Sequence, residues 1–450
     1  MKIVAALLAL TGCGDNLQVF AEPTTIELTF PSAPNRQLDL LFVIDDSPGG
    51  PEMQAELASA VGPFFDELRA ASGSLPDLHI GVITSDLGTT GSLDPSRPGA
   101  PIGQLGNGGC AGAGDDGLLQ TFGAAVTDAY LVDEDDAAGG RRRNYQDDLL
   151  VTLGAMLRGA GGGGCGFEQP LHALRRGLLH PANQGFVRAD AHLGIVILTD
   201  EDDCSLRDPA LLAADTTELG PLQSFRCTAQ GVACDQRVDE LGVKTGCEPR
   251  EDSAYVEGSD ATRALLVGLK PRSSDLSIVS ILGDPTPFVV EQRSPPGGGT
   301  PQLALAHSCS ATGPNGLQVA DPGVRIASLT DTFAARGATS SVCELYTTHR
   351  VNDLARLLKH PLGVVCLDST QLTDSSTERG IQPACELAEI AGGTETRIRA
   401  CPLADDCFEI VPDATACPET TDHLRLVVHR TSTPSAGAYL RARCETPGYP

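Results

Sequence analysis

The stretch Leu38-Asp39-Leu40-Leu41-Phe42-Val43-Ile44-Asp45-Asp46-Ser47-Pro48-Gly49-Gly50 constrains the fold more than any other part of the chain. Five apolar residues run from Leu40 to Ile44 without a polar interruption, then give way to two aspartates and a Ser-Pro-Gly-Gly turn. A strand with one wet face alternates polar and apolar residues. A short unbroken apolar run bounded by turn residues instead predicts a strand buried on both faces, as in parallel sheets. Past the turn, Met53, Leu57, Val61, Phe64, Phe65 and Leu68 recur at helical spacing over 52–71. Strand, polar loop and helix in this order set a carboxylate and a hydroxyl at the carboxyl end of a buried strand. Open α/β sheets place their ligand sites there.

The pattern repeats along the chain. Leu78 to Ile83 reads as a second buried strand ending in Thr84-Ser85-Asp86, and Leu193 to Leu198 as a third ending in Thr199-Asp200, followed by Glu201-Asp202-Asp203. Leu276 to Leu282 reads as a fourth, and helical spacing is found over 147–158, 168–179, 260–270, 324–335 and 352–362. Strands alternating with helices predict an α/β fold. The glycine run Gly161 to Gly164 precedes a helix, but no Lys-Ser/Thr follows it, which argues against a nucleotide phosphate there. Between the second strand and the first of the later helices, 87–143 is dense in Gly, Pro and Asp, and a loop of that length is functional or mobile. Its acidic run Asp133 to Asp136 reads as a solvated face in preference to a calcium site.

The loop after the first strand resembles the opening metal-site loop of von Willebrand factor type A domains, Asp-x-Ser-x-Ser. Asp45 and Ser47 occupy the first two positions and Gly49 the third, so one ligand is missing. The strand ending Leu198-Thr199-Asp200 is similar to the strand that carries the family's last metal-site aspartate, and Asp200 matches that residue. The family also takes a threonine from the loop before an intervening helix, and no threonine lies between Leu153 and Thr199. The resemblance covers residues 36–362 and implies a Rossmann-like, doubly wound, mostly parallel sheet. It further implies that Asp45, Ser47 and Asp200 hold Mg²⁺ or Ca²⁺, with Asp46, Glu168, Thr199 or Asp202 making up for lost ligands, and that a protein partner binds there.

Fifteen cysteines without a C-x-x-C pair exclude zinc-ribbon and thioredoxin-like spacings and point to disulfides in an oxidising, extracytoplasmic compartment. Cys13 stands apart. Met1-Lys2, the apolar Ile3 to Leu10 and Leu10-Thr11-Gly12-Cys13 resemble a bacterial lipoprotein signal ending in the cysteine that is lipidated. The apolar run is too short to span a bilayer. The remaining fourteen cysteines allow seven disulfides, whose connectivity is not legible in sequence. The expected organisation is a signal and lipobox at 1–13, a tether at 14–35 ending in an edge strand, the type A-like domain at 36–362 with insertions 87–143 and 204–254, and a small Cys-rich β module at 363–450. The layout resembles that of lipoproteins predicted in myxobacteria.

A net charge of −27, from 59 acidic and 32 basic residues, argues against nucleic acid and anionic membrane surfaces as partners, leaving the N-terminal lipid as the membrane contact. Neither a G-x-S-x-G elbow nor an H-E-x-x-H helix is present, and His79, His172, His180 and His192 fall in or near core elements. The expected function is non-enzymatic: protein binding or adhesion at the cell envelope, on the outer membrane of a Gram-negative bacterium, with Mg²⁺ or Ca²⁺ at the degenerate site. The alternatives are a metal-free structural envelope protein and an extracytoplasmic hydrolase.

Overall fold

The computed structural model describes residues 24–446 except 92–95, 97, 104–108, 137, 215–216, 295–297, 315, 347–351, 378–380, 419 and 436. The lipobox and Cys13 lie outside the described residues. The opening stretch forms a strand, and it is the middle of a seven-stranded sheet. In chain order the strands that matter are β1 (Thr24–Pro31), β2 (Gln37–Ile44), β3 (Asp77–Thr84), β4 (Leu131–Asp135), β5 (Arg141–Arg143), β6 (His192–Leu198), β7 (Leu276–Leu282) and β8 (Gly337–Ser341). The central sheet runs β8-β7-β6-β2-β3-β4-β5. The pairs from β8 through β3 are parallel, and β4 and β5 form an antiparallel edge.

The unbroken apolar run in β2 is explained by its two faces. Leu38, Leu40, Phe42 and Ile44 pack with Met53, Leu57, Val61, Phe64, Phe65 and Leu68 of helix α1 (Gly50–Ser72). Helix α2 (Leu149–Gly159) and helix α7 (Asn352–Lys359) add Leu153, Leu157, Leu354 and Leu358 to the same cluster. Leu41 and Val43 point the other way, against Leu171 and Leu174 of α3 (Pro170–Leu179), Leu266 of α5 (Asp260–Leu269) and Ile326 and Leu329 of α6 (Val324–Asp331). Alternate residues of one strand thus feed two cores, one on each face of the sheet. The remaining helix, α4 (Phe225–Gly231), belongs to an insertion.

The long segment 87–143, expected to be irregular, ends in the edge strands β4 and β5. Its acidic run is solvated as expected at Asp135 and Asp136, but Asp133 is buried and takes the Tyr145 hydroxyl and Arg141 Nε, the latter at 2.5 Å, while Glu134 pairs with Arg142 and, at 3.0 Å, with Arg188. The strand expected at the end of the 14–35 stretch is β1, and it is an edge strand of the C-terminal module. There it pairs antiparallel with β14 (Tyr439–Thr446), register Thr24↔Thr446 to Pro31↔Tyr439. With β9 (Val365–Leu367), β10 (Cys385–Ala391), β11 (Thr394–Ala400), β12 (Cys407–Pro412) and β13 (Leu424–His429) it makes a second seven-stranded sheet, order β1-β14-β10-β11-β12-β13-β9. That sheet has its own core of Leu28, Phe30, Val365, Leu387, Leu426 and Leu440.

Seven disulfides tie the chain: Cys110–Cys165, Cys204–Cys227, Cys234–Cys247, Cys309–Cys343, Cys366–Cys417, Cys385–Cys444 and Cys401–Cys407. All fourteen cysteines among the described residues are paired, which suggests an oxidising extracytoplasmic environment. No helix among the described residues is long and apolar enough to cross a membrane. The link from β1 to β2 runs beside α7, where Asn35 N donates to Pro361 O at 2.7 Å. Both termini of the central domain therefore lie at the amino ends of its parallel strands, away from Asp45 and Asp200.

Candidate functional site

In the β2–β6 register Ile44 stands beside Leu198, which makes neighbours of the loops that follow. Asp45 N donates to Leu198 O at 2.9 Å. One Asp45 carboxylate oxygen accepts from Ser47 N at 2.8 Å, and the other from the Thr199 hydroxyl at 2.8 Å. Gln54 reaches back from the first turns of α1 and clamps two loops together. Its Nε2 donates to Asp45 O at 2.8 Å and Gly161 O at 2.6 Å, and its Oε1 accepts from Gly161 N at 3.0 Å.

The glycines here are required by close approach. A Cβ on Gly164 would lie 2.4 Å from the Asp46 carboxylate, and Gly164 N donates to Asp46 O at 2.8 Å. The glycine run is thus a lining for the Asp46 loop. A Cβ on Gly49 would lie 2.5 Å from Asp200 Oδ2, so the Asp200 carboxylate fills the space that a third-position serine side chain would take.

Glu168 sits in the loop before α3, where the resemblance leads one to seek a threonine. It is 1 % exposed; its Oε2 accepts from the Ser85 hydroxyl, and its carbonyl accepts from Cys204 N at 2.6 Å. Its other carboxylate oxygen, Oε1, has no partner among the described residues, and the same holds for Asp46 Oδ1. The Ser47 hydroxyl likewise forms no hydrogen bond with the described residues. Two disulfides hold these loops: Cys110–Cys165 anchors the glycine-run loop, and Cys204–Cys227 anchors the loop after β6.

Carboxylates accumulate here without cations to offset them. Burial and then the charges of Asp86 and Asp45 push Asp46 up to about 9. Burial, Asp45 and Asp46 raise Glu168 well above the usual range, and burial with Asp45 and Glu201 does the same for Asp200. Glu201 is pushed to about 8 by burial and then by Asp321 and Asp45. The charges acting most strongly on these four groups are all carboxylates. A buried carboxylate that is neither paired nor hydrogen-bonded is costly, and either a proton or a bound cation removes the cost.

Asp202, one of the residues expected to make up for missing ligands, has a different task. Its carboxylate accepts from Arg325 N at 3.0 and 3.1 Å, capping the amino end of α6. Burial raises its pKa to about 6 although Arg325 draws it down. Arg325 is fully buried and donates to Asp203 Oδ2 at 3.0 Å, Asp203 O at 3.0 Å and Gly231 O at 2.9 Å.

The donors facing this site are all oxygens, which suits Mg²⁺ or Ca²⁺ and not a soft metal. The unpartnered oxygens of Asp46 and Glu168, the unused Ser47 hydroxyl and the Asp45 and Asp200 carboxylates fit a hard divalent cation. No three His, Cys, Asp or Glu side chains among the described residues converge tightly enough to hold an ion by themselves. An ion held here would have to keep several waters, as Mg²⁺ does.

A cavity of about 420 Å³ lies beside this cluster and is lined by Glu168, Asp200, Glu201 and Asp202, but not by Asp45, Asp46 or Ser47. Asp321 lines it as well, together with Phe225 of the second insertion and Leu305 and Val319 of the later strands Gln302–Leu305 and Gly316–Ala320. The structure thus brings Asp45, Ser47 and Asp200 together with Thr199 and Glu168. It adds Asp321, whose N donates to Asp200 O at 2.8 Å and whose carboxylate meets His307 Nδ1 at 2.8 Å. Sequence reasoning missed Asp321; the only signal was an Asp-Pro-Gly turn just before a helical segment. The four singled-out histidines do not enter the site. His79 bonds Phe186 O at 2.8 Å, His180 accepts from Ala182 N at 3.1 Å, His192 meets Ser277 at 3.0 Å, and His172 is buried in α3.

No family model matches the sequence, and no curated protein matches it. Among solved structures the chain is similar to the pilus adhesin RrgA from Streptococcus pneumoniae, with 11% identity, a TM-score of 0.31, and coverage of 94% of this chain and 58% of that one. It is also similar to a von Willebrand factor type A from Catenulispora acidiphila, with 10% identity, a TM-score of 0.24, and coverage of 96% and 67%. The chain spans 58% of the adhesin's length, and both likenesses are distant.

Proposed function

We propose that this chain is a von Willebrand factor type A-like binding protein of the cell envelope, with a doubly wound sheet that presents the acidic cavity to a protein partner. A hard divalent cation, Mg²⁺ or Ca²⁺, is held by Asp45, Ser47 and Asp200, with Glu168 beside them. The observation that carries this reading is the group of carboxylates gathered beyond β2 and β6, in which Asp46 Oδ1 and Glu168 Oε1 are buried without a partner among the described residues. Such a group in the loops at the ends of parallel strands is where an α/β sheet binds its ligand. When bound, the cation supplies charge neutralisation and open coordination positions. Asp45 orients the loop through Ser47 N and Thr199, and Gln54 holds the two backbone segments that frame it. The acidity of the molecule disfavours nucleic acid.

The test is calorimetric titration of Mg²⁺, Ca²⁺ and Mn²⁺ into the purified chain and its Asp45→Ala variant. Saturable binding to the wild type and none to the variant is expected, with the variant's far-ultraviolet circular dichroism unchanged. If the wild type takes up no cation and its melting temperature does not move, the metal part of the reading fails and the metal-free structural alternative takes its place.

The proposal extends to anchoring by lipid on Cys13, at the outer membrane of a Gram-negative bacterium. The chain enters the described fold through β1, at the C-terminal module, so an anchor before β1 leaves the cavity at the far end of the central domain. Cys13→Ser is expected to move essentially all of the protein from the membrane to the soluble fraction on cell fractionation. Retention in the membrane fraction would rule the lipid anchor out.

A further inference from the structure

The chain has four lysines, and Lys244, Lys270 and Lys359 fall among the described residues. All three are buried. Two of them spend their ammonium groups on their own chain. Lys270 Nζ donates to Arg188 O at 2.6 Å and lies 3.8 Å from Asp39 Oδ2. Lys359 Nζ donates to Glu67 Oε2 at 3.1 Å and to Ala416 O at 3.0 Å. Lys244 differs. It is 5 % exposed, yet its ammonium forms no hydrogen bond or ion pair with the described residues. Asp239, on which its charge acts, is exposed and already pairs with Arg237 at 2.6 Å. A lysine that only covers apolar surface keeps its head in water, and a buried ammonium without a partner is costly.

Lys244 lines a pocket of about 280 Å³ between the second insertion and α6, smaller than the roughly 300–1,000 Å³ of sites for drug-sized ligands. None of Asp45, Ser47, Glu168 and Asp200 lines it. Where the strand Gly242–Lys244 pairs with Phe288–Arg293, Lys244 stands directly opposite Phe288, which puts both side chains on one face. Phe288 is buried, as are Val324 and Ala327 of α6, and the three give the pocket an apolar wall. Ser328 of α6 adds a hydroxyl that forms no hydrogen bond with the described residues. The turn after Lys244 is fixed before any ligand arrives. Cys234–Cys247 closes it, Asp235 N donates to Thr245 O at 2.9 Å, and the Thr245 hydroxyl donates to Asp235 Oδ2 at 2.9 Å. Little ordering is then left to oppose binding.

We propose that this pocket binds a small monocarboxylate, its carboxylate on Lys244 Nζ and its apolar body against Phe288, Val324 and Ala327. An ammonium offers three donors to an anion, and the charge-assisted bonds it forms are strong ones. Glu248 and Asp331 also line the pocket, and neither pairs with Lys244. Both are exposed, where water screens their repulsion of an anion held at the buried ammonium. They act instead against a second negative charge, which sets a monocarboxylate above a dicarboxylate or a phosphate. The inference depends neither on the divalent cation nor on the cavity beyond β2 and β6.

The experiment is ligand-observed saturation-transfer NMR on the full chain in buffer with EDTA, so that no divalent cation can hold a carboxylate. The probes are isovalerate and phenylacetate, the neutral amide of each, and the dianion methylsuccinate. Saturable binding of at least one of the two acids is expected, with none by the amides or by methylsuccinate. Lys244→Met keeps the aliphatic stem and removes the charge. With its circular dichroism spectrum unchanged, it is expected to weaken binding of the acid about tenfold or more, the loss of one charge-assisted contact. The comparison of acid with amide reads the same charge on the wild type and needs no variant. Binding of neither acid, amides that bind as tightly as the acids, or a folded Lys244→Met variant that binds as the wild type does would each overturn the inference.

Discussion

Arg325→Met is expected to lower the stability of the chain by about 3–5 kcal/mol in urea unfolding, the usual result of removing one partner of a buried ion pair. Arg325 is fully buried in α6 and serves Asp203 and the carbonyls of Asp203, Gly231 and Glu257. Methionine matches much of its stem but none of its five donors, so the Asp203 carboxylate is left ionised in a dry site with only the Ser205 hydroxyl and backbone N–H groups to hold it. The effect should reach the cavity as well, because Asp203 follows Asp200 within one loop and that loop is fastened by Arg325 from one side and Cys204–Cys227 from the other. A loss below about 1 kcal/mol would mean that water enters and replaces the guanidinium, and that the loop does not depend on it.

Acidification from pH 7.5 to 5 should cost the wild type about 4 kcal/mol relative to a His192→Asn/His360→Leu variant, about 2 kcal/mol per histidine. Burial, reinforced by Lys270 and His360, holds His192 down to about 3; burial, reinforced by Arg356 and Lys359, does the same for His360. The unfolded chain protonates both near the ordinary value of 6.5, whereas the folded chain resists until about 3. Below 6.5 the unfolded state therefore binds more protons, and the stability that is fully present above 6.5 is lost as the pH falls toward 3. Asp46 and Glu201, whose values are raised, act in the opposite direction, gaining stability as the pH falls from 9 toward 4. They are common to both proteins, so the difference between wild type and variant isolates the histidines. The measurement is urea unfolding of each protein at the two pH values. A gap that does not change with pH would show that these imidazoles take up protons in the folded chain.

The legible part of this protein lay in residues whose neighbours in sequence are also their environment. The apolar runs of β2, β3, β6 and β7 could be read because a strand covered on both faces is apolar over most of its length, with few buried polar residues such as Asp39 and His79. Asp45 and Asp200 stood out because a carboxylate directly after such a run must lie at a strand's end. The number of disulfides followed from the count of cysteines once Cys13 was set apart.

What tertiary structure alone decided depends on which distant segments meet. The pairing Cys385–Cys444, the capture of β1 by β14 and the docking of Phe225 and Leu305 over the strand ends each join segments far apart in the chain, and no local period records that choice. The same holds within the site. Glu168 was visible as an acidic residue before a helix, but that its Oε1 would be sealed without a partner was decided by Ser85 and Cys204. Asp202 was expected to make up for a missing ligand beside Asp200, and Asp203 had no role assigned in the acidic run after β6. The arrival of Arg325 turned Asp202 into a helix cap and Asp203 into half of a buried pair, and left Asp200 to the cavity. Sequence by itself determines where a carboxylate stands along a strand; only the fold decides whether a cation of its own chain is within reach, because that is a matter of distance in space and not of spacing along the chain.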